Sequence, residues 1–160
     1  PIPNFPVPTG AHPRVFYARG PEGTLSAAPG TDVTAVFARL GWQVVAPEGS
    51  GTFRLATPED IDRLDPDVII LADPAAQHVL TSPAWATLRA VREGHAYAAP
   101  AYPFGWIEEP PSVNRLAGLA WLRGADPLTL AALLNASLYG RALTTPQLQS
   151  IAGTTPAIKP

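Results

Sequence analysis

The sequence of 160 residues contains no cysteine and no methionine, and only 15% of its residues are charged. Without cysteine, a disulfide framework, a thiolate zinc site and a thiol nucleophile are all excluded. The net charge of -2 provides no basic field for nucleic acid or an anionic membrane. The longest apolar runs are too short to cross a bilayer. Since position 1 is proline rather than methionine, we expect a processed product or an excised segment.

Proline, glycine and apolar residues are abundant instead. The chain has 20 prolines and 13 glycines, and 46% of its residues are hydrophobic. This composition is typical of a globular domain with many well-defined loops. The length fits one domain with a sizeable core. We therefore expect an extended arm over residues 1–13, which has no periodicity, and a single α/β lobe over residues 14–160.

Strand-like and helix-like segments alternate after the arm. Short apolar runs predict four strands, and helical spacing, caps and breakers predict the helices between them and at the C-terminal end. The strands are predicted at residues 15–18, 42–46, 67–72 and 96–99, and the helices at residues 32–40, 57–65, from 74, 82–94, 112–122, 127–138 and 146–151. Residues 22–30 and 47–55 are expected to be loops. This order predicts a Rossmann-like three-layer lobe with a mostly parallel sheet of about four strands.

Ligands of open α/β sheets bind beyond the carboxyl ends of the strands. That rule selects Tyr17 and Arg19, residues 46–50, residues 73–78 and residues 101–109. Arg19 is suited to an anionic group of a ligand, although a lone arginine is more often solvated or paired with a local acid. Asp73 has a similar alternative, because an acid before a proline at a helix start is usually a cap.

The segment over residues 101–109 is the most informative of these. Its aromatic residues Tyr102, Phe104 and Trp106 lie among glycine and prolines, which favours a pre-formed wall for a large, flat or hydrophobic ligand. The alternative is that the rings only cover the ends of the sheet. Glu108 and Glu109 follow, as an acid pair or as two solvated side chains, and Glu108 is included with the aromatic residues among the predicted ligand contacts.

Direct metal binding and catalysis lack sequence support. The three histidines have no ligand spacing, and a single axial haem ligand, with His78 the best placed, is a less favoured alternative. There is no phosphate loop and no Gly-x-Ser-x-Gly elbow. No cofactor and no enzymatic activity are predicted.

Five stretches, in order, resemble the C-terminal half of class III periplasmic binding proteins, the ferric-siderophore, haem and vitamin B12 type. They are residues 14–23 (RVFYARGPEG), 64–74 (LDPDVIILADP), 83–100 (PAWATLRAVREGHAYAAP), 103–122 (PFGWIEEPPSVNRLAGLAWL) and 138–144 (LYGRALT). The resemblance implies one lobe of a two-lobed binder whose N-terminal lobe lies outside this chain. The implied ligand contacts are Tyr17, Arg19, Asp73 and residues 102–106.

The resemblance also implies partners and a location. The expected partners are an iron-chelate or corrinoid small molecule, an ABC-importer permease and the missing lobe, in the periplasm or cell envelope after export. Residues 37–42 (FARLGW) depart from the family, which has an acid there for docking on the importer. Two other hypotheses remain open: a lone lobe that uses the former cleft face for protein association, and a small α/β enzyme supported by the fold alone.

Overall fold

A six-stranded sheet lies at the centre of the computed structural model, which describes residues 12–101, 104–108, 112–144 and 146–147. The strands are β1 Arg14–Arg19, β2 Leu25–Ala27, β3 Gln43–Val44, β4 Phe53–Leu55, β5 Val68–Leu71 and β6 Ala96–Ala98. Most of the predicted arm and of the predicted last helix lie outside the described residues.

The sheet is parallel at its centre and antiparallel on one side. Its order is β4-β2-β1-β5-β6, and β3 also pairs with β1. Strand β1 runs parallel to β3 and β5, and β5 runs parallel to β6, whereas β2 is antiparallel to both β1 and β4. The predicted α/β class is confirmed, with two strands more than the expected four.

Strands β2 and β4 lie where loops were predicted. Each has three residues, flanked by glycine, proline, serine or threonine, so neither shows a local strand pattern. They are strands because their backbones pair with a neighbouring strand. Arg19 of β1 is opposite Leu25 of β2, and Leu25 is opposite Leu55 of β4. Pairing of β2 with β1 and of β4 with β2, rather than intrinsic propensity, therefore forms this side of the sheet.

The helices connect the strands and close the chain. They are α1 Ala35–Arg39, α2 Pro58–Leu64, α3 Pro83–Ala86, α4 Arg89–Arg92, α5 Asn114–Leu122 and α6 Pro127–Tyr139, with 3-10 helices at Asp32–Thr34 and Pro74–Thr81. The single helices predicted over residues 32–40 and 82–94 are each divided into two shorter ones. None of the described helices has the length and apolarity that a bilayer crossing requires.

The N-cap residues of two helices differ in their hydrogen bonds. Thr57 forms a capping box with Asp60, in which each side chain bonds the other residue's backbone N–H. Thr31 is the N-cap residue of the 3-10 helix over Asp32–Thr34, but its side chain makes no cap bond to that helix. Its hydroxyl instead donates to the carbonyl of Ala28, 2.8 Å away.

Two apolar clusters pack on opposite faces of the sheet. Successive residues of β1 alternate between them: Tyr17 belongs to the cluster that contains Trp121 of α5, and Phe16 belongs to the cluster that contains Trp85 of α3. Every residue of β5 is fully buried, as expected of a strand covered on both faces. The lobe thus has three layers, and the carboxyl ends of β1, β5 and β6 meet at one edge.

Candidate functional site

A cavity of about 370 Å³ lies at that edge. It combines the end of β1, the segment after β5, and the segment after β6, as the strand-end rule predicts. Its described lining residues are Tyr17, Arg19, Gly20, Leu25, Ala72, Asp73, Pro74, Ala101, Gly105, Trp106, Ile107 and Glu108. Tyr102 lies outside the described residues.

Glu108 joins the segment after β6 to β1. Its Oε1 accepts a hydrogen bond from the hydroxyl of Tyr17 at 2.8 Å and one from Nε of Arg19 at 2.5 Å. Glu108 is only 7% exposed, so the alternative of a solvated side chain is wrong, and its role in ligand binding stays a prediction. Its predicted partner Glu109 lies outside the described residues. Burial of the carboxylate is made possible by these two donors, since a buried charge must be paired.

The guanidinium of Arg19 has two neighbours of different chemistry. It forms the ion pair with Glu108, and its Cζ lies 4.3 Å from the centre of the Phe53 ring. This is the geometry of a cation–π interaction. Of the two alternatives for Arg19, pairing with a local acid is therefore the one observed.

Contacts with α5 hold residues 104–108 in place. The side-chain amide of Asn114, which is 8% exposed, donates to the carbonyl of Gly105. A Cβ placed at Gly118 would collide with the backbone carbonyl of Trp106, so only glycine allows the helix to lie this close. The backbone N–H of Trp106 also donates to the carbonyl of Pro100 at 3.1 Å.

Helix α5 is itself tied to the helical segment after β2. Arg115 donates two hydrogen bonds to Asp32, from Nη1 at 3.1 Å and from Nη2 at 2.9 Å. The hydrogen bond and the charge of Arg115 hold the pKa of the Asp32 carboxyl below its usual value. A bidentate pair of this kind fixes orientation as well as distance, and it positions the helix that supports the cavity.

The predicted aromatic wall is only partly formed by the described residues. Phe104 is 46% exposed and is not among the lining residues of the cavity, whereas Trp106 lines the cavity but is fully buried at 0%. For Trp106, covering the end of the sheet is the correct alternative, because its ring belongs to the core cluster that also contains Tyr17. Trp106 therefore supports the cavity rather than presenting a free ring to it.

Of three other predicted positions, Asp73, residues 46–50 and His78, only Asp73 lines the cavity. Asp73 lines the cavity and caps the helix over Pro74–Thr81, since its Oδ1 accepts from the N–H of Ala75 at 2.8 Å. Residues 46–50 do not line the cavity, because β2 occupies the place beside the end of β1. His78 is exposed, bonds the carbonyl of Ala75 and is not among the lining residues.

Sequence reasoning missed the contribution of β2 and β4. Leu25, Phe53 and Leu55 lie on the same face of the sheet as Arg19, because opposite residues of an antiparallel pair point the same way. Phe53 is 39% exposed and Leu55 is 77% exposed. They form an apolar flank beside the cavity. The available signal was the spacing of two large apolar residues, Phe53 and Leu55, around Arg54.

The described residues contain no group of three or more histidine, aspartate or glutamate side chains that could hold a metal ion. The cavity's ionisable groups are instead the paired Arg19 and Glu108, the buried hydroxyl of Tyr17, and Asp73 at the rim. The geometry suits the binding of an intact solute through polar and apolar contacts.

The comparison with known proteins identifies the class. The family model described as periplasmic binding protein matches residues 6–103. Because this match covers more than half of the chain, the chain belongs to the periplasmic binding protein family. Among curated proteins there is no significant match.

Solved structures agree in fold. An ABC transporter solute binding protein from Sulfurospirillum deleyianum has a TM-score of 0.76 at 22% identity, with 94% of this chain and 51% of that chain covered. The molybdate-binding protein MolA of Haemophilus influenzae gives 0.65 at 19%, covering 88% and 46%. The vitamin B12 binding protein BtuF of Vibrio cholerae gives 0.60 at 20%, covering 78% and 46%. This chain thus spans about half the length of the structures it matches.

Proposed function

We propose that this chain supplies one lobe of a two-lobed solute-binding protein, which captures an iron-chelate-type solute and delivers it to an ABC importer. The observation that carries the proposal is the cavity at the carboxyl edge of the sheet, beside Arg19 and Glu108, in a chain of the periplasmic binding protein family. The second lobe and the importer permease are the proposed partners. The proposed location is the periplasm or cell envelope, after export.

The volume of the cavity fits a site that forms half of a cleft. A volume of about 370 Å³ lies near the lower end of the range of about 300–1,000 Å³ for small-molecule pockets. A lobe that provides one wall needs only part of the final volume. The apolar flank formed by Leu25, Phe53 and Leu55 extends this wall beyond the cavity itself.

The proposed solute is a ferric siderophore, haem or cobalamin. Among the solved relatives, one from Saccharomonospora viridis is described as part of an Fe3+-hydroxamate transport system, and BtuF binds vitamin B12. Large chelates have both apolar surface and polar edges, which matches a wall of this composition. The proposed contacts are Tyr17, Arg19, Asp73, Tyr102, Phe104 and Glu108, with Trp106 beneath them.

Titration with ferric siderophores, haem, cobalamin and molybdate tests the proposal, with tryptophan fluorescence as the readout. Trp106 lines the cavity, so a bound chelate that absorbs near the emission band quenches it. A saturable response to an iron or cobalt chelate is expected. Saturation by molybdate alone would replace the chelate by an oxyanion, and no response to any solute would contradict the proposal.

Phe104→Ala locates the binding face. Phe104 is 46% exposed, so its truncation removes contact area for the solute and costs little core packing. We expect affinity to fall by about tenfold, the equivalent of one partly buried aromatic contact. Leu116→Ala is the matched control, because Leu116 is 65% exposed but lies on α5, whereas Phe104 directly precedes the lining residues 105–108. Equal affinities for both variants would place the solute elsewhere.

A second function is favoured by one observation, the exposure of Phe53 and Leu55 on the same face. Such an exposed apolar surface suits association with a protein, including a second copy of the chain. Light scattering over a range of concentrations separates the two functions. A monomer at all concentrations disfavours association, and a dimer that Leu55→Lys dissociates favours it.

A further inference from the structure

The cavity presents more negative than positive charge. Among its described lining residues, Asp73 and Glu108 are carboxylates and Arg19 is the single cation. A site for a compact anion requires cationic or N–H donors directed at the ligand. The balance of charge here is the opposite, so the way in which Arg19 is engaged decides what the wall can attract.

Arg19 is engaged by groups of the protein itself. Its Nε lies 2.5 Å from Oε1 of Glu108, and its guanidinium lies over the Phe53 ring. The side chains of Arg19 and Glu108 are only 17% and 8% exposed, so water screens the pair weakly. An anionic solute that approaches Arg19 therefore meets a carboxylate already in place.

Glu108 is not free to turn away from Arg19. Its second bond, from the Tyr17 hydroxyl, fixes the carboxylate on β1. The backbone around it is held by Asn114 and by the close approach of Gly118 to Trp106. Withdrawal of Glu108 would require movement of the whole segment against α5, and would leave a buried charge without its partners.

Asp73 adds to this effect at the rim. Its Oδ1 accepts from the N–H of Ala75, and the residue is exposed at the start of the helix over Pro74–Thr81. Asp73 forms no ion pair within the part of the chain that the structure describes. A cationic or neutral polar group of a solute is therefore favoured at this end.

We propose that Glu108 is a built-in counter-ion that sets the charge preference of the site, so that this wall selects neutral or cationic chelates over trianionic chelates and compact oxyanions. This inference rests on the proposed function, that the cavity binds a chelate. It goes further by naming the charge class of the solute and the residue that determines it.

The test compares complexes of one metal that differ in charge. The intact chain is titrated with a cationic ferric trihydroxamate, a neutral ferric trihydroxamate and a trianionic ferric tris-catecholate, and separately with molybdate. We expect the cationic and neutral complexes to bind at least about tenfold more tightly than the trianion, as expected for unit charges a few ångströms apart near a protein surface. Lower ionic strength should widen the gap.

Glu108→Gln identifies the cause. The amide keeps an oxygen that can accept from Tyr17 and removes the negative charge beside Arg19. The ratio of cation to trianion affinity should fall by about tenfold. Glu93→Gln is the matched control, because it removes the same charge at the opposite edge of the sheet, near Arg89, where it should leave the ratio unchanged. Thermal melting of both variants establishes that they are folded.

A measurement without a chelate gives an independent check. An arginine-specific dicarbonyl reagent should modify Arg19 faster in Glu108→Gln than in the wild type, while the exposed Arg123 reacts equally in both. Trianion binding as tight as cation binding, or an unchanged ratio in Glu108→Gln, would overturn the charge preference alone. Absence of binding by every chelate would overturn the proposed function and this inference with it.

Discussion

Gly118 and Trp106 are in contact through their backbones, because a Cβ at Gly118 would collide with the carbonyl of Trp106. Gly118 lies on α5, and Trp106 lies in the segment that lines the cavity. The two are fully or nearly fully buried. The position of the cavity wall therefore depends on the absence of a side chain in a helix.

Gly118→Ala should lower stability in spite of its better helix propensity. Alanine in a helix is favoured over glycine by about 1 kcal/mol, but overpacking against a fixed carbonyl costs about 1–3 kcal/mol. Since the contact is with backbone rather than a flexible side chain, we expect a net loss. Urea unfolding followed by tryptophan fluorescence measures it, and a gain in stability would contradict the packing described.

Thr57→Ala should weaken the start of α2. It removes the side-chain bond to the N–H of Asp60 and half of the capping box, a change that costs about 1 kcal/mol in comparable caps. Thr81→Ala is the control, because the Thr81 hydroxyl bonds only the preceding helical turn at His78. Equal unfolding midpoints for the two variants would argue against the capping box.

The capping box is an example of a feature that a local sequence pattern predicts. Thr57, Pro58 and Asp60 act within four residues, so their pattern predicts the helix start. The buried strand β5 was predictable for a similar reason, because it is a continuous run of β-branched residues and leucine. Strands β2 and β4 could not be predicted in this way, because these three-residue strands form through pairing, of β2 with β1 and of β4 with β2.

The candidate site was predictable in outline for the same reason. The strand-end rule places Tyr17, Arg19 and Asp73 at one edge, since it depends on strand order alone. The bond between Arg19 and Glu108 joins residues 89 positions apart, and no local pattern reports it. The burial of Trp106 likewise depends on the approach of α5, which is decided by Gly118.

Acid should weaken the lobe at the opposite edge of the sheet, through Asp67. Burial raises the pKa of the Asp67 carboxyl, but hydrogen bonds from the Arg14 backbone and from Arg89 outweigh burial and hold that pKa below its usual value. Such a carboxylate stabilises the fold above its unfolded pKa of about 3.9. This contribution is lost as the pH falls through the lower, folded-state pKa.

Asp67→Asn tests this linkage. At neutral pH the variant should be less stable by about 1 kcal/mol, the contribution of a typical hydrogen bond to a partly exposed group. The difference from the wild type should shrink as the pH falls below about 4. Asp62→Asn, at an exposed position of α2, is the control. A constant difference across the acid range would separate stability from ionisation of Asp67.

Tyr17→Phe tests whether Glu108 depends on both of its donors. The variant keeps the ring, which packs against Phe37 with centroids 5.2 Å apart, and removes only the hydroxyl that bonds Glu108 at 2.8 Å. A buried acceptor that loses one partner costs about 1–3 kcal/mol. We expect a loss in that range by urea unfolding.

Combining Tyr17→Phe with Glu108→Gln separates the charged bond from packing. If the hydroxyl serves mainly to stabilise a buried carboxylate, its removal should cost less once Glu108 is a neutral amide, because hydrogen bonds to charged groups are about twice as strong. A double-mutant cycle should therefore give a coupling of about 1 kcal/mol between the two positions. Additive losses would mean that the two side chains contribute independently, and that the charge of Glu108 is compensated without the Tyr17 hydroxyl.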